Sequence, residues 1–369
     1  VPVLQVIGDR PGAGKTCLIG ALLSHLAVVG QVAGYYRPFS ASPQADPDVA
    51  FFARHLPAVD SGAPGVPAPQ PLARIPGAGP DLAEAVGQEV EDTVAALEAA
   101  TQLVLVEGPD LNPTGGPPAI LPGRPLSAAA ESSLAGELAA RLEARVLLVF
   151  HYASGLTASE VAQASIPFGR RLAGIVINGV TRHRWQQTQS LSGRTQHGLL
   201  AELKAQGLPV LGALPEDRAM LAVTVPQVAD HLAGRFVEEP TQEPAGDDAW
   251  VERFLIGGNI MDSGSIYFGR LPNQGVITRA ARPDIQLASL TPNTRCLVLT
   301  GGEEPTEYVR VEARQREVPL ILVPGDTLTT AAALDGLLAR ANPYSQHKLE
   351  RFGQLMREHL ELGALLHGL

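Results

Sequence analysis

Short uninterrupted apolar runs recur along the chain, most of them followed by residues on helical spacing. Val3 to Ile7 is the first such run and predicts a buried parallel strand. Thr16 to Val29 follows with helical periodicity in Leu18, Ala21, Leu22 and Leu26. Val32 to Tyr36 predicts a second strand, Leu82 to Ala100 a helix with an acidic outer face, and Leu103 to Val106 a strand running into Glu107-Gly108. Arg145 to Phe150 and Leu172 to Ile177 predict two more strands with a helix, Thr157 to Ser165, between them, and Val210 to Leu214 closes this half. Pro57 to Pro80 and Pro109 to Pro125, rich in Pro, Gly and Ala, predict long loops. Strands alternating with helices predict a doubly wound parallel α/β domain.

The texture changes near Val237. Glu238 to Asp248 is acidic and nearly free of large apolar side chains, which predicts an interdomain linker. The alternation then restarts, with strands at Gly275 to Thr278, Cys296 to Thr300 and Leu320 to Val323 and helices at Ile285 to Leu290, Glu304 to Gln315 and Thr329 to Ala341. The organisation expected is a first domain over 1–236, a linker over 237–249, a smaller α/β domain over 250–341 and a C-terminal helical segment over 342–369. His347 to Leu366 predicts one amphipathic helix carrying Leu349, Phe352, Leu355, Met356 and Leu360, suited to docking or to packing between two copies.

Composition narrows the function classes. A length of 369 residues with 45% hydrophobic content supports one large or two ordinary domains. A net charge of −10 argues against a broad nucleic-acid-binding surface. No apolar run is long enough for a membrane span, and the chain enters a strand pattern without a leader-like segment, so a cytoplasmic protein is expected. The two cysteines, Cys17 and Cys296, are far apart and make neither a disulfide framework nor a metal-ligand pattern; two buried reduced thiols are expected.

The chemistry concentrates in Val6 to Thr16, VIGDRPGAGKT, between the first strand and the first helix. A glycine loop there lets successive backbone N–H groups curl around phosphate at a helix N-terminus. Gly12, Ala13, Gly14, Lys15, Thr16 and Cys17 are the predicted cradle, with Lys15 reaching the β- and γ-phosphates and the Thr16 hydroxyl supplied to Mg²⁺. The spacing from Gly8 to Gly14 is one residue longer than in the common phosphate-binding loop.

That longer loop resembles the modified loop of dethiobiotin synthetase and related ATP-dependent synthetases. Tyr36-Arg37-Pro38 matches the synthetase Tyr-Lys-Pro, with Arg37 in place of the catalytic lysine. The strand ending in Glu107-Gly108 matches the family's Glu-Gly, and Glu107 is implied to hold Mg²⁺. Pro109-Asp110-Leu111-Asn112 replaces the usual small glycines, and Asp9-Arg10-Pro11 replaces small hydroxyl residues. Asp46 and Asp48 are candidates to assist the metal or to cap a helix. LAGIVINGV resembles the strand whose closing asparagine bonds adenine, which nominates Asn178, and Pro215 with Glu216 would wall the base pocket. Asn178 also fits an ordinary Asn-Gly turn. Arg182, Arg184 and Trp185 fit either base stacking or a surface loop. His151 reads as a hydrogen-bonded structural residue.

The stretch from Leu211 through Gly234 looks like the synthetase-like domain at the N-terminus of long phosphotransacetylases. FLIGGNIMDSGSIYF, VITRAARPDIQLASL, CLVLTGGEEP and VPLILVPGDTLTT resemble a DRTGG domain. Ala280 to Asp284 departs from the family's Gly-Asp-Arg at that place. Thr300-Gly301-Gly302, after a strand, offers N–H groups to an anion, with Thr278, Arg279 and Arg282 beside it. The alternative is a dimerisation module with tight turns.

The fold class implied is a P-loop NTPase domain of doubly wound parallel α/β type followed by a DRTGG-like domain. With the chain ending soon after the second domain, phosphotransacetylase activity is not expected. Two functions remain open. One is a nucleotide-responsive regulatory protein, homodimeric, binding ATP and Mg²⁺ in the first domain and a small metabolite in the second, without nucleic-acid or membrane partners. The other is an ATP-dependent synthetase in which Lys15 and Arg37 stabilise charge on a transferring phosphoryl group.

Overall fold

A computed structural model describes residues 1–55, 64–75, 84–111, 128–153, 155–189, 198–239, 250–258, 264–338 and 341–369. They form two compact units, Val1–Glu216 together with Tyr344–Leu369, and Asp217–Pro343.

The first unit runs β1 (Val3–Gly8), α1 (Lys15–Val28), β2 (Ala33–Tyr36), β3 (Phe39–Ser40), α2 (Pro47–His55), β4 (Gln70–Pro71), α3 (Glu84–Glu98), β5 (Leu103–Glu107), α4 (Ala128–Arg141), β6 (Arg145–His151), α5 (Ala158–Ser165), β7 (Leu172–Val180), α6 (Arg182–Gln189), α7 (Leu199–Ala205) and β8 (Val210–Pro215). Six of these strands form a parallel sheet in the order β2-β5-β1-β6-β7-β8. All six residues of β1 are buried, as a central parallel strand requires. The chain winds outward from β1 to β2, returns through β5, and continues on the other side of β1 with β6. The carboxyl end of β1 therefore lies where the winding reverses, the place at which open parallel sheets take ligands.

The second unit contains β9 (Val223–Thr224), α8 (Val225–His231), β10 (Arg235–Glu238), β11 (Trp250–Val251), β12 (Arg253–Gly257), α9 (Gly264–Phe268), β13 (Gln274–Arg279), α10 (Pro283–Ser289), β14 (Thr294–Thr300), α11 (Glu307–Gln315), β15 (Leu320–Val323) and α12 (Thr327–Leu338). Its sheet has the order β10-β15-β14-β13-β12, four parallel strands with β10 antiparallel at one edge.

This arrangement corrects the expected domain boundary at 236. Val225, Val228 and Ala229 of α8 share a core with Val298, Ile321 and Leu334, so the segment from Asp217 onward belongs to the second unit. Val237 and Glu238, expected to open a linker, are part of β10. The Glu238 carboxylate is nearly buried, paired with Arg310 at 2.9 Å and Arg314 at 2.8 Å, which is why a charge that reads as linker is tolerated in a sheet. The rest of the expected linker, residues 240–249, lies outside the described residues, as do 56–63, 76–83 and 112–127 of the expected loops.

The chain then re-enters the first unit with α13 (Gln346–His359) and α14 (Leu362–His367). Leu349, Phe352, Leu355 and Met356 of α13 are buried, and α13 packs along α1. Close approach is permitted by Gly20, where a Cβ would stand 2.6 Å from Leu349 Cδ2. The single helix expected over His347 to Leu366 is broken at Leu360, whose extended backbone pairs with Gly212 while the Glu361 N–H donates to the Leu211 carbonyl at 2.9 Å. That pairing covers the outer strand β8, an edge otherwise open to addition. The C-terminal segment thus docks on its own chain. No helix among the described residues is long and apolar enough to cross a membrane.

Candidate functional site

β1 delivers the chain to a loop that ends where α1 begins at Lys15. Gly12 and Gly14 take positive φ of 78° and 101°, a region costly for any residue with a Cβ. Gly14 is the N-cap of α1 and supplies no side-chain cap, so the positive end of the helix dipole faces the loop without a built-in acceptor from that residue. The rest of the loop is tied down. The Asp9 N–H donates to the Val149 carbonyl at 2.9 Å, its Oδ1 accepts from the His151 N–H at 2.9 Å, and Arg10 Nε donates to its Oδ2 at 2.8 Å. Asn178 Nδ2 donates to the Ala13 carbonyl at 2.8 Å. Asn178, nominated for adenine, thus spends its amide on the loop backbone. His151 takes its structural role through its main chain.

Around this loop the ends of β2 and β5 assemble a charged network. Lys15 Nζ donates to Asp110 Oδ1 at 2.6 Å and to the Gly108 carbonyl at 3.0 Å. Thr16 Oγ1 donates to Glu107 Oε1 at 3.1 Å, and Tyr35 OH donates to Glu107 Oε2 at 2.8 Å. Arg37 Nη1 donates to Glu107 Oε1 at 2.9 Å and to Asp48, and its Nε lies 3.2 Å from Asp46 Oδ2. Tyr344, from the re-entering segment, donates its hydroxyl to Asp48 Oδ1 at 3.1 Å.

Burial and the neighbouring Glu107 charge push the Asp48 carboxyl up to about 6, with Arg37 opposing. Burial also lifts the Asp110 carboxyl above its ordinary value, with Lys15 opposing. For Arg37, burial works against the charge, and Glu107, Asp48 and Asp46 outweigh it, so the guanidinium stays charged. The Tyr35 hydroxyl is held protonated by burial and by Glu107.

Three carboxylates around one guanidinium leave two negative charges within this cluster, and the oxygen donors of Thr16 and Glu107 meet beside it. Hard oxygen donors with excess negative charge fit Mg²⁺. Among the described residues no group of three or more His, Cys, Asp or Glu is arranged to hold a metal unaided. Asp46 caps α2, its Oδ1 accepting from the N–H groups of Asp48 and Val49 at 3.0 Å, so of the two aspartates it is the one that takes the capping role.

Arg37 differs from the expectation. A residue nominated to stabilise a transferring phosphoryl group is committed to three carboxylates. Tyr35, Asp110 and Tyr344 belong to the site and were not nominated: Asp110 follows the end of β5, Tyr35 lies within β2 and Tyr344 just precedes α13, positions that carry no chemical signal of their own in the sequence. Pro215 ends β8, and the Glu216 N–H donates to the Val180 carbonyl at 2.8 Å, closing the β7 and β8 ends together. Trp185 lies on α6 rather than in a loop, edge-on to His359 with ring centroids 5.0 Å apart. Cys17 and Cys296 are buried and free, and burial pushes each thiol up to about 12.

In the second unit the expected anion turn is otherwise engaged. The Gly301 N–H donates to the Gly325 carbonyl at 2.9 Å and the Gly302 N–H to the Val323 carbonyl at 3.1 Å. The positive φ of both glycines serves this backbone pairing. Thr278 and Thr300 are buried, with hydroxyls bonded to the Gly257 carbonyl and to Thr327 Oγ1 respectively. Arg282 forms a two-point pair with Asp284 at 2.9 and 2.8 Å. Arg279 is exposed, and the Asp326 carboxyl is lowered first by hydrogen bonds from Thr329, with the Arg279 charge adding to them. The turn thus spends on its own backbone the N–H groups expected to meet an anion.

Comparison with solved structures gives low overall similarity. The CBS and DRTGG domains of a Clostridium perfringens pyrophosphatase, complexed with diadenosine tetraphosphate, are 17% identical over 34% of this chain, with a TM-score of 0.26. This chain spans about half the length of that one, 49%. The MinD cell division protein of Aquifex aeolicus is 13% identical over 60% of this chain and 84% of its own, with a TM-score of 0.36. A nucleotide-binding protein from Archaeoglobus fulgidus in complex with ADP is 13% identical over 58% of this chain and 82% of its own, with a TM-score of 0.34. Residues 227–337, within the second unit, match the family model of the DRTGG domain, so this chain joins a DRTGG domain to a parallel α/β unit with a glycine-rich loop after its first strand.

Proposed function

We propose that the first unit binds a nucleoside triphosphate, ATP with Mg²⁺, on the loop from Gly8 to Thr16, and that the protein is a nucleotide-responsive regulatory protein rather than a synthetase. The observation that carries this reading is the junction of β1 and α1. Two glycines at positive φ lead into an α1 whose cap residue has no side chain to offer it, with Lys15 and Thr16 in its first turn and Glu107 against Thr16. A bound Mg²⁺ would be held by Thr16 and Glu107 and would neutralise phosphate charge. Lys15 would meet the outer phosphates, Tyr35 orients Glu107, and Asn178 fixes the Ala13 carbonyl and with it the curl of the loop.

The dethiobiotin-synthetase-like reaction is the second reading, supported by the longer loop. Against it stands Arg37, paired with Asp46, Asp48 and Glu107 and so unavailable to a transferring phosphoryl group. The DRTGG domain is the place for a second ligand or a contact between copies.

Calorimetric titration of the whole chain with ATP and Mg²⁺ tests the assignment. The expected result is saturable binding, weakened at least about tenfold by Lys15→Ala, the scale of one lost charge-assisted contact to phosphate. Unchanged binding in that variant would overturn it. Formation of dethiobiotin from diaminopelargonate, bicarbonate and ATP would favour the synthetase reading.

A further inference from the structure

The ammonium that should meet phosphate already holds an anion. Lys15 Nζ is 2.6 Å from Asp110 Oδ1, and both side chains are largely buried. The carboxylate is fitted to the loop itself. A Cβ on Gly8 would stand 2.5 Å from Asp110 Oδ1, so the first glycine of the loop makes the room that this oxygen occupies. The Leu111 N–H donates to the Gly8 carbonyl at 2.8 Å and pins the Asp110 segment from its other side. Three separate contacts thus seat one carboxylate on the phosphate-binding loop.

We infer that Asp110 is an internal anion that competes with the terminal phosphate for Lys15, making the loop discriminate between nucleotides by the length of their phosphate chain. The inference rests on the nucleotide reading above. A phosphate-loop lysine reaches the β- and γ-phosphates. With Asp110 in place, a triphosphate must break the Lys15–Asp110 pair and bring its outermost charge beside a carboxylate in a partly buried site, where charges are weakly screened. A diphosphate brings less charge to that position. The loop therefore favours the diphosphate, relative to a loop without Asp110, and triphosphate binding requires the Asp110 segment to yield.

The test is calorimetric titration of the whole chain with ADP and with ATP, each with Mg²⁺, for the native chain, Asp110→Asn and Asp110→Ser. Both variants remove the charge, and the second also shortens the side chain. Circular dichroism confirms that each is folded. The expected result is ATP binding tightened by about tenfold, with a smaller gain for ADP, and loss of the gain when Lys15→Ala is added. An unchanged or weakened ATP affinity in both folded variants, or an equal gain for ADP and ATP, overturns the inference and leaves nucleotide binding standing. If Lys15→Ala alone leaves ATP binding intact, the nucleotide reading falls instead.

Discussion

Gly14 offers a sharp test of the loop geometry. Its φ of 101° lies in the left-handed region, and an added Cβ would stand 2.3 Å from Asn178 Nδ2. Gly14→Ala therefore carries two costs. The backbone strain is about 1–2 kcal/mol for a residue with a Cβ. Pushing Asn178 off the Ala13 carbonyl adds about 1 kcal/mol for the lost hydrogen bond. Gly12→Ala is the internal control, since φ there is 78° but no atom lies within 4 Å of the added carbon. It should show the backbone cost alone. Urea unfolding, followed by fluorescence of Trp185 in a Trp250→Phe background, reads the first unit separately. The expected outcome is that Gly14→Ala is less stable than Gly12→Ala by about 1 kcal/mol, and that the gap closes when Asn178→Ala is introduced into both. Equal destabilisation by the two glycine variants would refute the close approach of Asn178, and a gap that survives Asn178→Ala would place the clash elsewhere.

Two further outcomes follow from the C-terminal segment. Lys348 is 2% exposed on α13, and burial pushes its pKa down to about 8. Its folded value lies below its unfolded one, so the unfolded chain binds more protons between them. The Lys348 contribution should raise the stability of the first unit by about 1 kcal/mol from pH 8 to 9, and the Cys17 thiol, protonated in the folded chain but ionising near 9 in the unfolded one, offsets part of that rise in the same window. Lys348→Met should flatten that rise in urea titrations at the two pH values. Gly20→Ala should gain less than the roughly 1 kcal/mol that alanine ordinarily adds inside a helix, because the added carbon crowds Leu349, and Leu349→Ala in the same chain should restore most of that gain.

The central strands of both units could be read from local pattern because each is a continuous apolar run, and α1 because its glycine loop marks its start. Several short or weakly marked helices were missed, and α4 and α2 show two different reasons. α4 carries Leu134 and Leu138 on helical spacing in an alanine-rich stretch, a signal present but lost behind the proline-rich segment before it. α2 is short, and its start depends on the Asp46 cap. The domain boundary was illegible in principle. The amphipathic α8 has one apolar face, and nothing local states which sheet receives it. The site behaved similarly. Lys15, Thr16 and Glu107 were legible because a loop and a strand end fix them. The commitment of Arg37 to Asp46 and Asp48 joins residues that only the folded chain brings together, and a sequence shows a free arginine there. The engagement of the glycine turn in the second unit was equally hidden, because the Val323 and Gly325 carbonyls that accept from it arrive from the end of β15 and the turn after it.

The return of the chain to its first unit bears on how the protein is made. Residues 17–23 of α1 are buried on every side, and part of that cover comes from α13, the best part of a chain length away. A ribosome releases the glycine loop well before its covering helix. Until α13 emerges, the nascent first unit presents bare apolar surface, whereas every element of the unit that holds the DRTGG domain precedes α13 in the chain. Maturation of the two units is therefore inverted relative to their order in the message. A messenger cut short before α13 yields a chain with a finished insert and an unfinished host.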